Sequence, residues 1–181
     1  PGGMLFTKPA VNILGQVSKG RLVPNKTRVR GLPSFGGELP VSSLAEEITT
    51  PGKGQIKAMV LWAGNPVLST PNGEQLDKAF AQLDYLVSVD FYINESNRHA
   101  NIILPPVGPL EREHYDVIFH NLAVRNTSKY SKALFEKPKG TKHDWEIAIS
   151  LAERLQKPTF MQKRLNNITK KRGLKFMLGI L

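Results

Sequence analysis

The sequence predicts an α/β domain built on a mostly parallel sheet. Three observations carry this: a nearly continuous apolar run from Ile56 to Ala63, an amphipathic stretch from Gly73 to Leu83, and a second apolar run from Tyr85 to Phe91. Strands covered on both faces read as unbroken apolar runs, whereas surface helices show apolar residues three and four apart. Strand, helix and strand at this spacing make a βαβ unit, in which the strands run parallel and the crossover is right-handed.

The elements follow in order. Residues 1–40 contain seven glycines and four prolines after Pro1, with no sustained period, and read as an irregular lead-in. Ser43-Leu44-Ala45-Glu46 has the pattern of a capping box opening a short helix to about Ile48, which Pro51-Gly52 ends. The first core strand carries Ala58, Met59, Val60, Leu61 and Trp62. Gly64-Asn65-Pro66 stops it, because Pro66 cannot donate to a ladder and biases Asn65 toward extended geometry. Leu76, Ala79, Phe80 and Leu83 then form the apolar stripe of a helix of about three turns. After the strand at Tyr85 to Phe91, Asn101-Ile102-Ile103-Leu104 predicts a third, closed by Pro105-Pro106. Residues 107–142 mix polar, aromatic and β-branched residues, with candidate strand pieces at Val117–Phe119 and Leu122–Val124. Asp144 is placed as the N-cap of a helix with Trp145, Ala148, Leu151, Ala152 and Leu155 along one face, ended at Lys157-Pro158. Residues 161–181 alternate basic and apolar residues, which fits either a helix packing on a larger protein or a poorly ordered tail. This divides the chain into a lead-in (1–40), an α/β domain (41–156) and a basic tail (157–181).

With 181 residues, 40% of them hydrophobic, the chain can bury one core. It contains no cysteine, so these residues supply no disulfide, thiolate nucleophile, cysteine zinc site or cysteine-ligated iron–sulfur cluster. No apolar run approaches the roughly 20 residues a membrane-spanning helix needs, and a cytoplasmic setting is expected. The opening Pro1-Gly2-Gly3-Met4 suggests a segment of a longer protein. The net charge is +10, yet residues 1–30 hold six basic side chains and no acid, and residues 157–181 hold seven and no acid. That leaves twelve basic against fifteen acidic groups in the middle. The basicity therefore lies in the flanks, and a nucleic-acid partner, which would place charge on the folded face, is disfavoured.

In open α/β sheets, ligands sit beyond the carboxyl ends of the strands. Asn65 follows the first core strand and Asp90 ends the second. Neighbouring strands lie about 4.8 Å apart, so both side chains can face one pocket. An ionised Asp only accepts hydrogen bonds and suits an N–H-rich edge or a ribose diol, while Asn both donates and accepts. Both residue types serve equally well to satisfy loop backbone. No G-x-G-x-x-G follows the first strand and no G-x-x-x-x-G-K-[ST] occurs, although Ser69 and Thr70 precede a helix start. The four histidines form no i, i+4 pair. Glu111, Glu113 and Asp116 surround Arg112, a grouping that reads first as mutual neutralisation.

Several stretches together resemble one family. Arg30-Gly31-Leu32-Pro33 with Gly37-Glu38-Leu39-Pro40, then Trp62-Ala63-Gly64-Asn65-Pro66-Val67-Leu68-Ser69, are similar to the middle of molybdopterin oxidoreductases of the dimethyl-sulfoxide-reductase superfamily. The likeness continues through Val87-Ser88-Val89-Asp90, Asn94-Glu95-Ser96, Arg98-His99-Ala100-Asn101-Ile102-Ile103-Leu104-Pro105 and His143-Asp144-Trp145-Glu146. It implies a Rossmann-like, three-layer α/β/α domain that helps hold the guanosine end of one of two molybdopterin guanine dinucleotides. It further implies that Gly64, Asn65, Pro66, Ser69, Val89, Asp90, Arg112 and Asp144 line that site, with Arg112 suited to a phosphate or a guanine acceptor. Where many relatives carry Asp, this chain has Asn101. The molybdenum and the iron–sulfur cluster are expected in the rest of a parent enzyme, formate-dehydrogenase-like or nitrate-reductase-like, whose other domains would be the partners. On this reading the 181 residues alone lack redox activity. The competing reading is a non-enzymatic module that binds polyanions through its basic flanks.

Overall fold

The computed structural model describes residues 25–35, 37–115, 129–156 and 158–173. Three strands, β1 (Ala58–Trp62), β2 (Tyr85–Val89) and β3 (Ile102–Ile103), form one parallel sheet in that spatial order. The crossover between β1 and β2 holds two helices, α2 (Pro66–Ser69) and α3 (Gly73–Phe80), while α1 (Leu44–Thr49) precedes β1 after a single 3₁₀ turn at Val41–Ser43. A two-stranded antiparallel ribbon, β4 (His114–Tyr115) with β5 (Tyr130–Ser131), follows. Helices α4 (Asp144–Leu155) and α5 (Phe160–Arg172) come last. The parallel α/β domain and its βαβ unit are as the sequence predicts.

The core lies between α1, α3 and one face of the sheet. Ala45 and Ile48 of α1 meet Leu76, Ala79 and Phe80 of α3, with Ile56, Met59, Val67 and Leu83 packed around them. Burying a side chain the size of Leu76 or Phe80 stabilises by about 2 kcal/mol each. Because side chains alternate along a strand, Leu61 shares the side of Met59 while Val60 and Trp62 point the other way. On that second side Val60, Trp62 and Ile102 are 43%, 40% and 43% exposed, whereas Val87 and Val89 of the central strand are buried.

Several local expectations are corrected. Ser43 makes no capping box with Glu46: its hydroxyl donates to the Pro40 carbonyl, and Glu46 pairs with Arg30. Asp144 is the first residue of α4 rather than its cap; His143 is the cap, closed by Glu146, whose carboxylate accepts from the His143 N–H. On α4 it is Ile147 that is buried, while Leu155 at the far end is 75% exposed. Helix α2 was not anticipated, since its four residues are too short for a period to show; Pro66 at its first position supplies the fixed φ and needs no donor. The described part of the lead-in folds on itself through two antiparallel bridges, Lys26 with Pro33 and Phe35 with Glu38, and side chains tie it to α1. Arg28 donates to the Thr50 carbonyl, and the buried Glu47 accepts from the Val29 N–H. The candidate strands at 117–119 and 122–124 lie outside the described residues. Much of the tail is helical, as α5, and among the described residues no helix is long and apolar enough to cross a membrane.

A surface cluster ties α3 to the loop after β2. Asp77 accepts from Arg98 and, at 2.8 Å, meets Nε2 of His99. The hydrogen bond from Arg98, then that from His99, holds its carboxyl below the ordinary 3.8. A depressed folded pKa adds stability that is present above the ordinary value and lost as pH falls through the folded one. The difference in thermal midpoint between the parent chain and Asp77→Asn is therefore expected to be full near neutrality and to shrink as pH drops below 3.8. Gly73 marks a second vulnerable point, because a Cβ there would stand 1.9 Å from the Val67 carbonyl oxygen. Gly73→Ala should destabilise by about 3 kcal/mol, or displace the α2–α3 turn, in urea unfolding.

Candidate functional site

The carboxyl ends of β1 and β2 adjoin, with Trp62 opposite Val89. Beyond β1, Ala63 takes a left-handed φ of 46° and donates its N–H to the Val89 carbonyl at 2.9 Å, turning the chain toward Gly64, Asn65 and Pro66. Asn65 caps α2 with its backbone, and its carbonyl accepts from both the N–H and the hydroxyl of Ser69. Its side chain turns sideways: Nδ2 donates to Glu95 at 2.7 Å, and Oδ1 accepts from the Ser96 hydroxyl at 2.6 Å. The Asn65 amide, as the main cause, keeps the Glu95 carboxyl below its usual range.

Asp90 is engaged just as locally. Oδ1 accepts from the N–H groups of Phe91 and Tyr92, and Oδ2 from Asn94. Beneath this turn the fully buried Asn97 donates to the Ser88 hydroxyl and the Tyr92 carbonyl while accepting from the Asn94 N–H. Ser96, also fully buried, accepts from the Val67 N–H at 2.9 Å. One polar network thus joins the loops after both strands. Asn101 has a comparable role at the other end of β2, where its Oδ1 accepts from the Leu86 N–H.

The other two expected residues meet elsewhere. The Leu134 and Phe135 N–H groups donate to the Leu110 carbonyl, and Val107 donates to Lys142, so segment 107–115 lies against segment 130–144. Arg112 then reaches across 32 positions to Asp144, Nη1 to Oδ2 at 2.7 Å. Glu111 takes the Gly108 N–H. The second oxygen of Asp144 accepts from the Trp145 N–H. The rings of His143 and Trp145 stack, 5.7 Å between centroids and 8° from parallel.

Arg112, Asp144 and this ring pair line a cavity of about 850 Å³, together with residues of the β4–β5 ribbon. Neither Asn65 nor Asp90 belongs to its wall. The eight expected site residues therefore fall into two groups, one at the strand ends and one in the cavity. Sequence reasoning did not single out His143 and Trp145 as lining residues; the available signals were their i, i+2 spacing around Asp144 and their place in the His143-Asp144-Trp145-Glu146 stretch. Chemically, the cavity offers a carboxylate acceptor, a guanidinium fork and a flat aromatic surface, which are the elements for holding a planar base with N–H donors. Among the described residues no three His, Asp or Glu side chains gather as a metal site. Removing the Ser96 hydroxyl would leave both the Val67 N–H and Asn65 Oδ1 unpaired. Ser96→Ala should cost about 2 kcal/mol in equilibrium unfolding.

Comparison with known proteins covers more than half of the chain. It is 36% identical over 104 residues to the assimilatory nitrate reductase catalytic subunit of Bacillus subtilis (strain 168), covering 58% of this chain and 14% of that protein. It is 32% identical over 113 residues to the F420-dependent formate dehydrogenase subunit alpha of Methanocaldococcus jannaschii, covering 62% of this chain and 16% of that one. A dimethyl sulfoxide/trimethylamine N-oxide reductase of Cereibacter sphaeroides is 30% identical over 102 residues, 55% of this chain and 12% of the reductase. The chain thus spans only a small part of the length of these relatives. The family model for molybdopterin oxidoreductase matches residues 12–154, well over half of the chain, and the chain belongs to the molybdopterin oxidoreductase family.

Proposed function

We propose that this chain holds the guanosine end of a molybdopterin guanine dinucleotide within a larger two-electron oxidoreductase of the formate-dehydrogenase-like or nitrate-reductase-like kind. The observation that carries the proposal is the Arg112–Asp144 pair, set beside the Trp145 ring in one cavity although the two residues are 32 positions apart. Guanine presents an N1–H and an exocyclic amine to an acceptor, and O6 and N7 to a guanidinium. Asp144 and Arg112 match those edges, and each is about one third exposed and so open to a ligand. The cavity lies within the size range of nucleotide-sized sites, roughly 300–1,000 Å³.

Gly64, Asn65, Pro66, Ser69, Val89 and Asp90 would contribute differently. Their network fixes the edge of the sheet that the cofactor would pass, with backbone and hydroxyl groups exposed at Ser69. When bound, the molybdenum centre at the far end of the cofactor supplies the redox chemistry, with ligands from other domains of the parent. The residues of this chain bind and orient.

The reading is tested by titrating the chain with guanosine monophosphate and adenosine monophosphate and following backbone resonances. Guanosine monophosphate should perturb Arg112, Asp144 and Trp145 more strongly than the adenine nucleotide does. Asp144→Asn, which replaces an acceptor by a partial donor, should weaken guanine binding about tenfold or more. An equal response to both nucleotides, or one confined to the lysines of α5, would sink the proposal.

A further inference from the structure

Helix α5 lies beyond the residues 12–154 that the family model matches, yet it is built into the domain. Thr159 caps it, and Gln162 closes the capping box from the third position. Glu153 on α4 holds its far end, accepting from Asn166 at 3.0 Å and from Lys170 at 2.7 Å. Lys170 first, then Asn166, keep the Glu153 carboxyl below its usual range. Thr169 is buried beside these contacts. With this tether in place, the last turn of α5 reaches the cavity of Arg112 and Asp144, where Arg172 and the following Gly173 form part of the wall.

The helix macrodipole accounts for basic residues in a last turn, and Lys170, Lys171 and Arg172 all satisfy it. It does not account for one of them lining a cavity. The charge of that wall is mixed: Arg112, Lys137 and Arg172 stand against Glu111, Glu113, Glu136 and Asp144. A simple anion would meet too many carboxylates there, and a simple cation too many basic groups. A nucleotide has both requirements at once, a base and ribose that donate hydrogen bonds and a phosphate tail that accepts them. Asp144 opens α4, Arg112 reaches it from the loop before β4, and Arg172 comes from α5, so the two parts of such a ligand would be met by different elements.

We infer that α5 is a cap supplied in cis to this cavity, and that Arg172 gives its guanidinium to the phosphate end of the bound guanine nucleotide. The inference rests on the guanosine reading above and adds a residue and a segment to it. Arg172 has five N–H donors in a planar fork, enough to keep an internal contact and still bind a phosphate oxygen.

The test measures binding of guanosine, guanosine diphosphate and inorganic pyrophosphate to the full chain and to Arg172→Gln, with thermal melting of both as a folding control. Affinity for the diphosphate and for pyrophosphate should fall about tenfold in the variant, with guanosine binding unchanged. Equal loss for guanosine and the diphosphate would make Arg172 a structural residue and overturn the inference, as would no loss for either. Arg172-dependent pyrophosphate binding without any guanosine binding would retain the anion role and remove the guanine reading. Guanosine binding with pyrophosphate indifferent to Arg172 would do the reverse, and absence of all binding would remove both. Should Arg172→Gln fail to fold, Arg172→Lys, which keeps the charge and loses the fork, takes its place with the same expected pattern.

Discussion

The parallel pairing of β1 with β2 is the constraint on which the rest of the molecule depends. Parallel neighbours cannot be joined by a tight turn, so the chain must leave the carboxyl end of β1, cross a face of the sheet and return. That crossing is α2 and α3, and their apolar side supplies most of the core with α1. It also leaves the ends of both strands side by side, where polar backbone must find partners away from any ladder. Fully buried, Ser96 answers that need by bonding across to the loop after β1, and Asn97 by tying the loop after β2 to its own strand. The edge of the sheet is therefore held by side chains as much as by strands.

This bears on how the two groups of site residues should be understood. Asn65 and Asp90 occupy the positions where ligands of open α/β sheets are expected, but their side-chain atoms are spent on Glu95, Ser96, Asn94 and neighbouring N–H groups. A ligand at that edge would meet a finished surface. Arg112 and Asp144 satisfy each other through one nitrogen and one oxygen, and a guanidinium has four further N–H donors. Their pairing costs little to share, because both groups are partly in water and an exposed ion pair contributes at most about 1 kcal/mol.

Legibility in the sequence followed the length and burial of each element. β1, β2 and α3 were readable because each carries a repeating apolar signal over five or more residues, and their observed bounds fall within the predicted ones. β3 was readable from the short apolar run that Pro105-Pro106 closes, whereas the two-residue strands β4 and β5 and the four-residue α2 are fixed by hydrogen bonds that leave no period in the chain. The capping errors have a similar origin. Ser43-x-x-Glu46 and Asp144 each have the chemistry of a cap, but Glu46 found a better partner in Arg30, and Glu146 closed α4 from one residue earlier. Residue types at the site came partly from position at strand ends and partly from family resemblance. What neither could supply was the way segment 107–115 lies against segment 130–144, which decides that Arg112 meets Asp144 and which ring lies beside them.

Gly73 shows how a residue can suggest a role it does not have. A glycine opening a crossover helix between two core strands invites comparison with the loops that wrap a phosphate, where the missing side chain makes room for a ligand. Here the space is already taken by the chain itself, since the Val67 carbonyl oxygen lies where a Cβ would be. Selection for glycine at this turn would be the same with or without a cofactor. Its presence here records how closely α2 and α3 approach, and by itself says nothing of what the chain binds.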